Sequence, residues 1–108
     1  MPLDAYADSD SRSAKPSFTI LGVTQAGQTF RPSDWAERLC GIMAQFQPPG
    51  VRASHFAYSP YVMPNQTSDG FKSVDVDGAI SLVEPLAYKF LLNFVRDNQL
   101  TTLPANVG

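Results

Sequence analysis

Residues 30–39 have the sequence FRPSDWAERL, which combines the chain's one tryptophan with its densest group of charges. Pro32 cannot donate a backbone hydrogen bond and therefore suits a first helical turn, and Asp34 suits the positive end of a helix. A rotation of about 100° per residue gathers the apolar side chains that follow on one face. That face comprises Trp35, Leu39, Ile42, Met43 and Phe46. The pattern predicts an amphipathic helix from Ser33 to Phe46, which Pro48 and Pro49 terminate.

The composition is that of one small globular domain. The chain has 108 residues, of which 44% are hydrophobic and 17% charged, whereas disordered chains carry fewer aromatic residues and more charge. A net charge of -2 gives no electrostatic case for nucleic acid, because phosphate binding needs clustered Lys and Arg. Neither an apolar leader core nor a run of ~18 apolar residues for a membrane span is present. The expected location is the cytoplasm, with no membrane partner.

Three segments have the composition of β-strands. Residues 17–24 are apolar and β-branched on both faces, which predicts a central strand. Residues 51–63 alternate roughly, but Pro60 removes a backbone donor, so this segment is either an edge strand or two short pieces meeting at a bend. In residues 71–77, Val74 and Val76 face away from Ser73, Asp75 and Asp77, and the turn at residues 65–70 predicts a hairpin with the preceding segment.

A second helix is predicted to end near Asp97-Asn98, with Asn98 in the left-handed conformation and Leu100 folding back as a hydrophobic lock. Its start is ambiguous. Ser81 and Glu84 have the spacing of a capping box, but Pro85 at the first helical position is equally compatible. Apolar side chains occupy well over half of the helix circumference from Leu86 onward. This is more apolar surface than one face of a sheet covers.

Together these segments predict an α+β domain of order β-α-β-β-α, with an antiparallel sheet of three or four strands and both helices on one face. The alternative arrangement places the helices on opposite sides of the sheet. We expect a flexible tail over residues 1–16, a single domain over 17–100 and a C-terminal tail over 101–108. The residues expected to be buried are Trp35, Leu39, Phe46, Val74, Phe90 and Phe94.

Three sequence blocks carry a family resemblance: FRPSDWAERLCG, YSPYVMP at residues 58–64 and FLLNFVRDNQL at residues 90–100. Together they resemble a small proteobacterial family of about this length that is known only as a domain of unknown function. The resemblance implies a cytoplasmic bacterial domain. It supplies no activity, cofactor or catalytic residue.

No catalytic, metal or cofactor site is predicted. The lone Cys40 and lone His55 are too few for structural zinc, and the scattered glycines match no phosphate-binding loop. Cys40 lies near the edge of the first helix's apolar face and is interpreted as a buried, inert thiol, since a reactive one would need a cationic neighbour such as Arg38 or His55. Asp75 and Asp77, about 7 Å apart along a strand, could share a cation, but a solvated strand edge is the favoured interpretation.

Two candidate interaction surfaces remain. The first comprises Arg31, Asp34, Arg38, Tyr58 and Tyr61, although helical ion pairs would also explain the charges and core packing would also explain the tyrosines. The second is a homodimer contact through Phe90, Leu91, Phe94 and Val95, motivated by the excess apolar surface of the second helix. The favoured function is therefore a non-catalytic interaction or regulatory module. The alternative is a small metabolite-binding domain or enzyme with a cryptic site.

Overall fold

The computed structural model describes residues 14–48, 50 and 58–104. Within these residues the strands are β1 (Phe18–Thr24), β2 (Val62–Gln66), β3 (Lys72–Val76) and β4 (Leu100–Pro104), and the helices are α1 (Trp35–Met43), α2 (Ile80–Val83) and α3 (Pro85–Asp97). The strands form one antiparallel sheet in the order β2-β3-β1-β4. The predicted α+β class and antiparallel sheet are confirmed, and the sheet has four strands.

Strand β1 is central, as its two apolar faces predict. It pairs with β3 on one side, where Ile20 lies opposite Val74, and with β4 on the other, where Ile20 lies opposite Thr102. Ile20 and Val74 are both fully buried. The core therefore forms where the helices cover the middle of the sheet.

Helices α1 and α3 pack on the same face of the sheet. Phe18 and Gly22 share one face of β1 because side chains alternate along a strand. The Phe18 ring packs edge-on against Tyr88 of α3 at 5.9 Å between centroids, and a Cβ added at Gly22 would lie 2.9 Å from Nε1 of Trp35 in α1. The one-face prediction is confirmed, and the arrangement with helices on opposite sides is wrong.

The hairpin β2–β3 also matches the prediction. Val62 pairs with Val76 and Pro64 with Val74, and β2 forms an edge of the sheet. Pro60 lies in the turn that precedes β2. The rest of the segment considered for that strand, residues 51–57 with His55, lies outside the described residues.

The C-terminal segment requires a correction, because residues 101–104, which were expected to begin a tail, belong to strand β4 (Leu100–Pro104). Leu100 is buried, as a hydrophobic lock would be, but it is the first residue of a strand paired with β1. The left-handed residue after α3 is Gln99, with φ 54°, and Asn98 has φ −102°. Short strands such as β4 depend on a partner distant in sequence, and local composition does not identify that partner.

Helix α1 starts later and faces a different direction than predicted. It begins at Trp35, whose N–H donates to the carbonyl oxygen of Pro32 at 3.0 Å, so Pro32 precedes the helix instead of opening it. The buried residues of α1 are Trp35, Ala36, Leu39, Cys40 and Met43. Ile42 is 57% exposed, and Phe46 lies beyond the helix end and is half-buried. The small side chains of Ala36 and Cys40 permit close approach to the sheet, which turns Ile42 outward.

Helix α3 begins at Pro85, and the side chain of Glu84 accepts a hydrogen bond from the N–H of Leu86 at 3.2 Å. The proline start is therefore correct and the capping box is not. Its buried residues are Ala87, Tyr88 and Leu91, whereas Phe90 is 43% exposed and Phe94 half-buried. The prediction that Phe90 is buried is wrong, because the sheet covers only part of the broad apolar surface of this helix.

Part of the expected N-terminal tail is anchored to the domain. The N–H of Lys15 donates to Oγ of Ser81 at 3.0 Å, and the hydroxyl of Tyr88 donates to the carbonyl oxygen of Pro16 at 2.8 Å. Ser17 accepts a hydrogen bond from the N–H of Gly78 at 2.8 Å. These hydrogen bonds satisfy polar groups of the N-terminal segment and of the helical region that it contacts. The folded domain therefore begins before residue 17.

Candidate functional site

An apolar groove lies between helices α1 and α3, which run antiparallel because the end of α1 lies beside the start of α3 and the start of α1 beside the end of α3. It has a larger compartment of about 360 Å³ and a smaller one of about 170 Å³, and Ile42 and Phe90 line both. The larger compartment is also lined by Met43, Gln45, Phe46, Glu84, Leu86 and Ala87. The smaller compartment is also lined by Phe30, Pro32, Trp35, Arg38, Leu39 and Phe94. We call this feature the helix groove.

The rims of the helix groove expose large apolar side chains. Ile42 is 57% exposed, Leu86 70% and Phe90 43%. Ile42 projects from α1, and Leu86 and Phe90 lie one turn apart on α3, so the three form a continuous patch. Contiguous apolar surface on a soluble protein typically marks an interaction site or a ligand groove.

The floor of the smaller compartment is an aromatic cluster. Trp35 and Phe94 are stacked with ring centroids 6.3 Å apart, and Phe30 packs edge-on against both at 5.5 and 6.0 Å. Aromatic packing of this kind holds the rings in fixed orientations. Trp35, the only tryptophan, therefore reports directly on the helix groove.

Two charged residues, Arg38 and Glu84, stand among the described residues that line the helix groove. Arg38 donates through Nε to Asp34 at 2.9 Å, an exposed pair one helical turn apart. The hydrogen bond from Arg38 lowers the pKa of Asp34. Glu84 uses Oε2 to cap α3 and lies at the opposite end of the groove from Arg38.

The five residues predicted as an interaction surface divide into two groups. Arg31, Asp34 and Arg38 are exposed around the start of α1, and the last two form the ion pair. Tyr58 is exposed, and Tyr61 is half-buried and packed against the core.

These two groups lie at opposite ends of the sheet. The carbonyl oxygen of Tyr61 accepts from the N–H of Asp77, just past the end of β3. Trp35 instead packs on Gly22, which approaches the carbonyl oxygen of Lys72 at the start of β3. The structure therefore brings Asp34 and Arg38 together but does not bring either next to Tyr61.

The residues predicted for a homodimer contact are only partly accessible. Leu91 is fully buried, and Phe94 and Val95 are half-buried against the core. Phe90 is the accessible member, and it belongs to the helix groove. The only sequence signal for the helix groove was the excess apolar surface of the second helix. Helical periodicity did not reveal the groove, because it predicted that Ile42 and Phe90 are buried in the core.

Cys40 is buried and chemically protected. Burial raises the pKa of its thiol to about 12, and the negative charges of Glu37 and Asp75 act in the same direction. Among the described residues, the charged neighbours that affect this thiol are anionic, which disfavours a thiolate. The predicted burial of Cys40 is confirmed.

Asp75 and Asp77 have separate partners. Asp75 accepts hydrogen bonds from Oγ1 of Thr19 and Nδ2 of Asn65, both at 2.9 Å. Asp77 accepts from the N–H of Ala79 at 2.9 Å. Among the described residues, no three His, Cys, Asp or Glu side chains gather as metal ligands would. These carboxylates organise the sheet surface and the entry to α2.

Across the same described part of the chain, no helix has the length and apolar character required to cross a bilayer.

Comparison with known proteins identifies the family. The family described as "Protein of unknown function (DUF3579)" matches residues 14–105. The chain belongs to this family. The match begins at the anchored N-terminal segment and extends past β4, so both lie within the DUF3579 domain.

A related structure supports the fold of the DUF3579 domain. A solution structure described as that of the first structural representative of its family is 34% identical, with a TM-score of 0.69. The match covers 86% of this chain and 82% of that one. None of the curated proteins searched matches the chain significantly. The resemblance to a domain family of unknown function is thus confirmed.

Proposed function

We propose that this DUF3579 domain is a non-catalytic protein-interaction module whose contact surface is the helix groove. The observation that carries the proposal is the continuous exposure of Ile42, Leu86 and Phe90 above an aromatic floor. Exposing such side chains to water is unfavourable, and a partner that covers them recovers roughly 25 cal/mol per Å² of apolar surface. The groove is therefore suited to burial against another apolar surface.

The chemistry of the groove suits the apolar face of an amphipathic helix. A groove between two helices accepts side chains that recur every three or four residues on a third helix. Few polar groups converge on the floor, so recognition depends on shape and apolar contact, with Arg38 and Glu84 setting direction at the two ends.

The test compares two leucines of α3. Leu86 lines the helix groove, whereas Leu92 is 46% exposed on the same helix and does not line it. The wild type, Leu86→Asp and Leu92→Asp are used for affinity capture from native cell extract. Loss of a reproducible partner by Leu86→Asp but not by Leu92→Asp is the expected outcome. Equal capture by all three proteins would reject the groove as the contact surface.

A direct readout uses Trp35 fluorescence during titration with a synthetic amphipathic helical peptide. Binding in the groove is expected to shift the emission of wild type and Leu92→Asp, and to leave Leu86→Asp unchanged. An unchanged spectrum for all three proteins would argue against helix recognition.

A second candidate function is binding of a small apolar metabolite. It is favoured by the volume of the larger compartment, about 360 Å³, which falls within the range of small-molecule sites. A thermal-shift screen tests it, because a ligand that binds only the folded state raises the melting temperature. A shift of several degrees with one compound, absent in Leu86→Asp, would favour this function over the interaction module.

The earlier candidate surface remains a separate prediction. Tyr58→Ala or Tyr61→Ala should weaken partner capture more than it lowers the melting temperature if Arg31, Asp34, Arg38 and these tyrosines form part of the contact.

We also propose a bacterial cytoplasmic setting, in keeping with the family resemblance and with a single unpaired cysteine. Fractionation of the native cell tests this location.

A further inference from the structure

The two charges of the helix groove are arranged in a self-complementary way. Helices α1 and α3 are antiparallel, and the groove runs from Glu84 at the start of α3 to Arg38 in the first half of α1. Ile42 and Phe90, which line both compartments, lie between these ends. The surface is therefore an apolar strip with the Glu84 carboxylate at one end and the Arg38–Asp34 ion pair at the other.

We infer that the occupant of the helix groove is a second copy of this chain, bound about a two-fold axis that passes between Ile42 and Phe90. This inference rests on the proposed function and names the partner at the same site. A two-fold axis brings the same patch of both copies together, with each end of one patch against the opposite end of the other. Each Arg38 then meets the Glu84 of the other copy, and two ion pairs flank the apolar centre.

The two charged side chains retain bonding capacity for such pairs. Arg38 binds Asp34 through Nε, and Glu84 caps α3 through Oε2. The Nη groups of the guanidinium and the second carboxylate oxygen have no partner among the described residues. An Arg–carboxylate contact across the axis uses these free atoms without breaking either intrachain bond.

The apolar centre supplies the contact area. Ile42 on one helix and Leu86 and Phe90 on the other become buried against the equivalent residues of the second copy. This contact retains Phe90 from the dimer predicted by sequence. It replaces Leu91, which is already buried in the monomer, with Ile42 of α1.

Multi-angle light scattering tests the dimer. The wild type and Leu92→Asp should show twice the chain mass of 11.8 kDa at micromolar to millimolar concentration, and Leu86→Asp should show 11.8 kDa. A wild-type mass of 11.8 kDa throughout this range would overturn the inference. A dimer that Leu92→Asp dissociates and Leu86→Asp does not would also overturn it.

Charge reversal tests the two-fold arrangement. Arg38→Glu and Glu84→Arg should each weaken the dimer roughly tenfold, because two attractive pairs become repulsive. An equimolar mixture of the two variants should recover wild-type affinity as a heterodimer, in which every pair is again attractive. A mixture that dimerises no better than the separate variants would overturn the arrangement.

Arg96→Glu is the control, since it makes the same charge change at an exposed arginine that also pairs with an aspartate but does not line the groove. Circular dichroism checks that α3 survives Glu84→Arg, which removes its cap. If α3 does not survive, the comparison of Arg38→Glu with Arg96→Glu decides alone, and equal dimer affinity for these two variants overturns the inference.

Failure of this inference is distinguishable from failure of the proposed function. A monomeric wild type whose Trp35 fluorescence responds to an amphipathic helical peptide would reject the homodimer and support the interaction module. A monomer without such a response would reject both.

Discussion

At the scale of single residues, the absence of a side chain at Gly78 lets the N-terminal segment with Lys15 and Pro16 pack directly against the backbone. A Cβ at this position would overlap the carbonyl oxygen of Lys15 and lie 2.9 Å from the carbonyl carbon of Pro16. Gly78→Ala should therefore displace the anchored N-terminal segment and lower the free energy of unfolding by roughly 1 to 3 kcal/mol. Urea denaturation measures this loss.

The control is the same substitution in α1. A Cβ at Gly41 meets nothing within 4 Å, and Gly41 lies inside a helix. Gly41→Ala should stabilise the protein by about 0.5 to 1 kcal/mol, because alanine loses less backbone entropy than glycine. Similar effects of the two substitutions would contradict the steric role of Gly78.

Cys40 provides a pH-dependent prediction. Burial raises the pKa of the folded thiol from 9.0 to about 12, so the unfolded chain ionises first as pH rises. The contribution to stability is complete below pH 9 and is lost between pH 9 and 12. In that window stability should fall by about 1.4 kcal/mol per pH unit.

The comparison is with Cys40→Ala, which lacks a titrating group at this position. Its stability should have a shallower dependence on pH in the same window, measured by urea denaturation of both proteins. Identical pH profiles would show that the thiol does not ionise differently in the folded and unfolded states.

At the scale of elements, β4 is integral to the sheet. Leu100 is buried and pairs with Thr24, whereas Leu103 is exposed and pairs with Thr19 in the same strand. Leu100→Ala should cost roughly 2 to 5 kcal/mol, and the matched Leu103→Ala under about 1 kcal/mol. Chemical denaturation of both variants checks this. Equal small losses would mean that the segment behaves as the tail expected from sequence.

The same scale shows where local patterns succeed. The alternation of Val74 and Val76 with Ser73 and Asp75 correctly predicted the core face of β3. The opposite face is polar, but Ser73 on it is buried and Asp75 is half-buried. The helical period identified α1, but it did not predict which arc of the helix is buried. That arc depends on how closely Ala36 and Cys40 approach the sheet, and a helical wheel gives no information about this distance.

At the scale of the whole molecule, Phe90 and Phe94 have different environments, although the helical period predicts burial for both. Phe94 is stacked on Trp35, whereas Phe90 is 43% exposed in the helix groove. Phe94→Ala should cost roughly 3 kcal/mol of stability, and Phe90→Ala about 1 kcal/mol. Thermal and urea unfolding at low protein concentration, where self-association does not contribute, measure the difference. A larger loss for Phe90→Ala would contradict the packing described.

The amino-acid sequence by itself determined that β1 is a strand and α1 and α3 are helices, and it determined the central position of β1, the β2–β3 hairpin and the burial of Cys40. These features follow from local periodicity and composition, which act over a few residues. Tertiary structure alone decided that β4 joins β1, that Lys15 and Pro16 dock on α2 and α3, and that Ile42 and Phe90 line a groove. Each of these depends on which distant surfaces meet and how much apolar area they cover. Local patterning leaves that choice open, because the same amphipathic helix can bury different arcs of its surface against different partners.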